Sequence, residues 1–183
     1  MDAPPPASLD AALRAQDPDR WLSSRFVDDA AVRARLVALY TLDGEWRRVA
    51  ALVSTPLAGE IRLAWWSEAL DRFAAGGAAD HPALAALGAE AAGALMPWLQ
   101  ATIEARRVAL EAQGPSEAAE IAVMTAAAKL LDPDAPDDLR RLSVAAFPAV
   151  AHKTLARVYA SGRQPGELEK RFRVAWAVAR GTI

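Results

Sequence analysis

Apolar residues recur at three- and four-residue intervals through most of the chain, and turn residues cut the pattern into helix-length pieces. Residues 1–8 have no such period, are Pro-rich and read as a disordered lead. A short helix is predicted from Leu9, ending before Pro18; a second piece, Arg20 to Val27, carries Trp21, Leu22 and Phe26 at helical spacing. Asp28 or Asp29 can cap a long helix to about Val53, with Val32, Leu36, Leu39, Tyr40, Trp46 and Val49 as its stripe. Ser54-Thr55-Pro56 is a hydroxyl cap followed by proline at the first helical position, and starts a helix to Phe73 that Gly76-Gly77 ends. Asp80-His81-Pro82 opens a helix with the stripe Leu84, Leu87, Ala91 and Leu95, and Pro97 opens another, through Leu99, Ile103 and Leu110 to near Gly114. Pro115-Ser116-Glu117 leads into a helix to Leu131, before a loop bracketed by Pro133 and Pro136. Beyond it a helix is predicted from Leu139 to Phe147, a break at Pro148, a segment with His152, Leu155 and Tyr159 ending at Gly162, and a last helix from Glu167 to Arg180. No stretch alternates long enough for a strand, so the expected fold is all-α: a single helical bundle of about eight helices over residues 9–183.

Composition narrows the chemistry. The 183 residues, 53% hydrophobic, suit one well-buried domain. With no Cys and two His, thiolate sites and multi-His metal centres are excluded. A net charge of −2 gives no basic field, so no nucleic-acid partner is expected. The acidic, Pro-rich start lacks the features of a signal peptide, and no apolar run reaches membrane-spanning length, so the expected location is cytoplasmic. The final predicted helix sets Lys170, Arg171, Arg173 and Arg180 against Phe172 and Trp176. It can pack on the bundle or lie peripherally on the inner membrane.

Common catalytic motifs are absent: no Gly-rich phosphate loop, HExxH or GxSxG occurs, and no catalytic residue is assigned. Glu60, Glu68 and Asp71 read as a solvated helix face, and Asp132, Asp134, Asp137 and Asp138 as loop and cap residues. His81 reads as a helix-start or surface residue, and His152 as a semi-buried one. Adjacent Trp65 and Trp66 point about 100° apart on a helix, so at most one faces a given cavity. Gly44, inside the long helix, signals close packing or a ligand near the backbone.

Three segments carry more: Ala38 to Tyr40 (ALY), Ile61 to Leu70 (IRLAWWSEAL) and His81 to Leu87 (HPALAAL). In this order and spacing, over about the first half of the chain, the sequence resembles the squalene/phytoene synthase family of head-to-head prenyl-diphosphate synthases. The resemblance implies a helical cavity in which two Asp-rich motifs hold Mg²⁺ against a substrate diphosphate. Where the first motif has its Asp residues, this chain has Arg47, Arg48 and Ala51. The second motif, expected in a Gln-Asn-Arg-Asp context, has no counterpart, and the chain is shorter than the synthases. The implied fold is a truncated isoprenoid-synthase-like bundle. Glu45, the Ser-x-Pro-x-x-Gly entry at Ser54 to Gly59 and the run Ile61 to Leu63 look like a non-catalytic branch that includes assembly factors of respiratory complex I; Leu42-Asp43 stands where that branch has Phe-Asn.

The resemblance therefore implies a pseudoenzyme without metal or other cofactor, a binding or assembly factor that acts at a membrane complex. Its partner would be a protein, an anionic lipid or a prenyl ligand. The alternative is an active or altered prenyltransferase of isoprenoid biosynthesis, using prenyl diphosphates with Mg²⁺; a ligand-free oligomeric scaffold is a third reading. The candidate vestigial-cavity residues are Glu45, Arg47, Arg48, Ala51, Arg62, Trp65 and Trp66. Glu45 is expected to pair with Arg62, or locally with Arg47 or Arg48. Arg47 is expected either to face an anion in the old cavity or to pair with Asp43, four residues earlier.

Overall fold

The computed structural model describes residues 8–112 and 114–135. Among them are seven α-helices: α1 (Leu9–Gln16), α2 (Pro18–Ser24), α3 (Ala30–Leu52), α4 (Pro56–Ala74), α5 (Pro82–Leu87), α6 (Ala89–Ala112) and α7 (Glu117–Leu131). No described residue lies in a strand, as the absence of alternating patterning predicts. The lead before Ser8, Asp137 and Asp138, His152 and every helix predicted beyond Leu139 lie outside the described residues.

Helix starts follow the polar punctuation. Ser8, Asp17, Asp29, Thr55 and Ser116 each accept a backbone N–H of the first turn they cap. The imidazole of His81 does the same for α5, with Nδ1 accepting the Ala83 N–H at 3.1 Å. Proline follows the cap directly in α2, α4 and α5, where its missing N–H costs nothing.

The stretch from Pro82 to Gly114 departs from the sequence reading. A helix through Leu95 and a new start at Pro97 were expected; the break instead falls at Gly88, and Pro97 lies inside α6. Gly88 sits at φ 85°, ψ 144°, backbone that only glycine adopts without strain, so α5 stops after six residues. Pro97 cannot donate to the Gly93 carbonyl. Yet one buried face runs unbroken past it through Ala92, Leu95, Leu99 and Ile103, and the packing of α6 along α4 and α7 outweighs an intrinsic penalty of about 3 kcal/mol.

Helix α3 is the centre of the described bundle, packed against α1, α2, α4, α5, α6 and α7. Every residue from Leu36 to Gly44 is buried, as an axial helix requires. Gly44 is a packing position: a Cβ there would lie 3.0 Å from Gln16 Oε1 of α1. At the start of α4, a Cβ on Gly59 would lie 2.7 Å from Leu110 Cδ1, so this glycine lets α4 approach the end of α6 closely. None of the described helices is long and apolar enough to cross a membrane.

Candidate functional site

The polar feature at the heart of the bundle is an ion cluster around Asp43. Its position, seven residues after Leu36 and three before Trp46, puts this carboxylate on the apolar stripe of α3, where it is fully buried. A buried charge needs partners, and other helices supply them. Arg20 of α2, itself fully buried, donates from Nη1 to Asp43 Oδ2. Arg106 of α6 donates to Asp43 Oδ1 at 3.0 Å, and Arg47, one turn along α3, lies 3.3 Å from Oδ2. Glu120, in the first turn of α7, accepts from Arg106 at 2.6 Å and from Arg20 at 2.8 Å. Asp17, the cap of α2, accepts from Arg47 at 2.9 Å. Three guanidinium groups thus face three carboxylates, and the cluster is balanced in charge.

The electrostatics follow from this geometry. Burial alone would push the Asp43 carboxyl up, but Arg20, Arg106 and Arg47 outweigh it and hold Asp43 below the ordinary carboxylate range. Burial likewise opposes the charge on Arg20, and Asp43, Glu120 and Asp17 overcome it and hold Arg20 above its usual value. Tyr40, whose ring lies 5.1 Å from the Arg20 guanidinium carbon, is pushed up to about 12 by burial and stays protonated.

Beside the cluster opens a cleft of about 750 Å³. Its walls are the last turns of α3 and α6 and the first residues of α4 and α7, with Trp46, Arg47, Thr55, Arg106, Ser116 and Glu120 among the lining. The Ser-x-Pro-x-x-Gly segment forms part of this wall: Ser54, Thr55 and Pro56 line the cleft, and Gly59 admits Leu110, which also lines it.

Of the seven residues singled out from the sequence, Arg47 alone lines the cleft. Its guanidinium is engaged by Asp43 and Asp17, the local alternative to an anion in a cavity. Glu45 pairs with Arg48 at 3.1 Å across one turn, and Arg62 lies exposed on α4 without joining them. Ala51 is exposed. The two adjacent tryptophans diverge: Trp66 is buried, with ring centroids 6.3 Å from Trp46 and 5.2 Å from His81, while Trp65 is 42% exposed. These residues therefore do not share one face. Arg20, Arg106, Glu120 and Asp17 escaped the sequence reading, and Asp43 entered it only as a local partner of Arg47. The available signal was a carboxylate at a core position of the α3 stripe, which demands cations that no local spacing can identify.

The Mg²⁺ ions implied by the resemblance do not fit the described residues. Positions 47, 48 and 51 offer two guanidinium groups and a methyl. No group of three His, Asp or Glu among the described residues could hold a metal ion. The buried carboxylate nearest these positions, Asp43, is saturated by arginines, which repel a divalent cation.

No curated protein and no solved structure matches the chain. The squalene/phytoene synthase family model matches residues 13–122, more than half of the sequence, and spans α2 to α6 together with the cluster residues from Asp17 to Glu120. With the ALY, IRLAWWSEAL and HPALAAL segments all inside that match, the chain belongs to the squalene/phytoene synthase family.

Proposed function

We propose that this protein is a non-catalytic member of its family that works by binding, as an assembly factor at a membrane-bound complex. The observation that carries the reading is the fate of Arg47. It stands where the family's first Asp-rich motif begins, and its guanidinium is tied to Asp43 at 3.3 Å and Asp17 at 2.9 Å. A structural ion cluster occupies the place of a metal-ligating face. The likeness of Glu45 and of the Ser54 to Gly59 and Ile61 to Leu63 segments to the branch that includes complex I assembly factors supports the assembly role and a peripheral place at the inner membrane.

The catalytic half of the reading is tested by incubating the full chain with Mg²⁺ and farnesyl or geranylgeranyl diphosphate and measuring pyrophosphate release. The expected result is none above a heat-killed control. Turnover would overturn the reading and establish the prenyltransferase alternative. The assembly half is tested by deleting the gene in the native host and resolving membrane complexes on native gels. Loss of assembled complex I, restored by the intact gene, is expected; an unchanged level removes that role.

A further inference from the structure

Helix α4 presents an apolar stripe that no described element covers: Leu57 is 65% exposed, Ile61 64% and Trp65 42%. The three recur every four residues, so they share one side of the helix and form a single ridge over two turns. Leu63, Trp66, Leu70 and Phe73 already turn the buried side of α4 to the bundle, so the core does not use the ridge. Ala58 and Ala64 stand exposed beside it and leave shallow grooves. Single exposed apolar residues need no explanation, but three aligned ones that include a tryptophan mark a contact surface.

The charges of α4 narrow what meets that surface. The helix carries five charged residues. Glu68 pairs with Arg72 at 3.7 Å, Arg72 with Asp80 at 2.8 Å, and Asp71 accepts from Gln100 at 3.0 Å. The side chains of Glu60 and Arg62 have no partner among the described residues. These two lie about 100° to either side of Ile61 around the helix. The ridge therefore has an unpaired anion along one edge and an unpaired cation along the other. An anionic lipid surface would be repelled by Glu60 and by the exposed Glu68. The predicted last helix of the chain is mainly basic, with Lys170, Arg171, Arg173 and Arg180, and serves Glu60 better than Arg62. A second copy of the same ridge supplies both signs.

We propose that two copies of this chain associate through α4, the helices running in the same sense about a two-fold axis and crossing at Ile61. In that arrangement opposite edges meet, so Glu60 of each copy lies beside Arg62 of the other. Antiparallel helices would bring like edges together, Glu60 on Glu60 and Arg62 on Arg62, at a cost in repulsion. Ridges of residues four apart pack at a crossing angle of about 50°. At that angle the helices have parted by Glu68, seven residues beyond Ile61, so its charge does not meet its own counterpart. One helix pair is a smaller contact than an obligate interface, so the dimer is reversible and depends on concentration. The inference goes beyond the proposed function and does not rest on it.

The test is sedimentation equilibrium of the full chain at concentrations up to its solubility limit, with thermal melting to confirm that each variant is folded. A monomer–dimer equilibrium is expected for the native sequence. Ile61→Asp should leave monomer only, and Ile121→Asp, at an exposed apolar position of α7, should leave the equilibrium unchanged. Glu60→Arg and Arg62→Glu each create two like-charge contacts per dimer and should each raise the dissociation constant about tenfold or more. The double variant Glu60→Arg/Arg62→Glu exchanges the edges and should return it to within about threefold of the native value. The chain has no Cys, so Ile61→Cys supplies one thiol per copy, and a short thiol-reactive crosslinker should join two copies there. A monomer at every concentration overturns the proposal and leaves the stripe to another occupant. A dimer that Ile61→Asp leaves intact, or single reversals that the double variant does not rescue, overturns it as well.

Discussion

Two acidic residues two positions apart on α3, and so on nearly opposite faces, show how burial decides the worth of a charge. Asp43 is fully buried and bound by three arginines; Glu45 makes one local pair with Arg48 near the surface. Replacing Asp43 by Asn keeps an acceptor oxygen but removes the negative charge that the fully buried Arg20 faces. Breaking a buried pair in this way costs about 3–5 kcal/mol, whereas an exposed pair across one helical turn contributes about 0.5 kcal/mol or less. Chemical denaturation of the two variants should therefore show a large loss for Asp43→Asn and almost none for Glu45→Gln. Comparable losses would mean that the cluster is not the stabilising centre that its geometry describes.

At the scale of the helices, the informative positions are those where local preference and packing disagree. Gly88 and Gly93 lie five residues apart, on either side of the start of α6, and obey different rules. Neither would bring a Cβ near another atom, so space does not distinguish them. Gly88 has φ 85°, and alanine there should cost about 1–3 kcal/mol in backbone strain alone. Gly93 is an exposed helical position, where alanine should stabilise by up to about 1 kcal/mol. Opposite shifts in melting temperature are the expected outcome; a stabilising Gly88→Ala would show that α5 and α6 can merge into one helix. Pro97 is the converse case. Its local signal is a helix start, but the buried face continuous from Ala92 to Ile103 carries the helix through it.

For the whole molecule, the ion cluster makes stability depend on pH in a definite sense. It joins α2, α3, α6 and α7, so its loss is felt throughout the bundle. Asp43 is held below the ordinary carboxylate value in the folded protein. Below about pH 3.9 the unfolded chain takes up a proton at this group while the folded one resists it. The stabilisation from Asp43 is therefore fully present above that value and is lost as pH falls through the lower folded value. Thermal midpoints followed from neutral pH into acid should show no contribution from Asp43 to any decline until about pH 4, and a steep one below it. The Asp43→Asn protein should show a shallower acid decline; equal slopes for the two proteins would remove Asp43 as the linked group.

The sequence by itself determined the elements. Capping residues sit next to the positions they cap, and the helical period is a local property, so Asp29, Thr55-Pro56 and Ser116 could be read as starts. The family was legible for the same reason, in contiguous segments with their own spacing. The reading that sets Arg47, Arg48 and Ala51 against the family's metal-ligating positions rests on the same contiguous segments. Tertiary structure decided the rest. The α5–α6 break depended on the backbone angles of Gly88, and the passage through Pro97 on the neighbours of α6. The cluster joins Asp43 to residues 23, 63 and 77 positions away in the chain, and the cleft brings the ends of α3 and α6 to the starts of α4 and α7. A one-dimensional pattern shows that a buried Asp needs a cation. Which of the many arginines answers it is settled only when the helices pack, because desolvation and Coulomb attraction act through space and not along the chain.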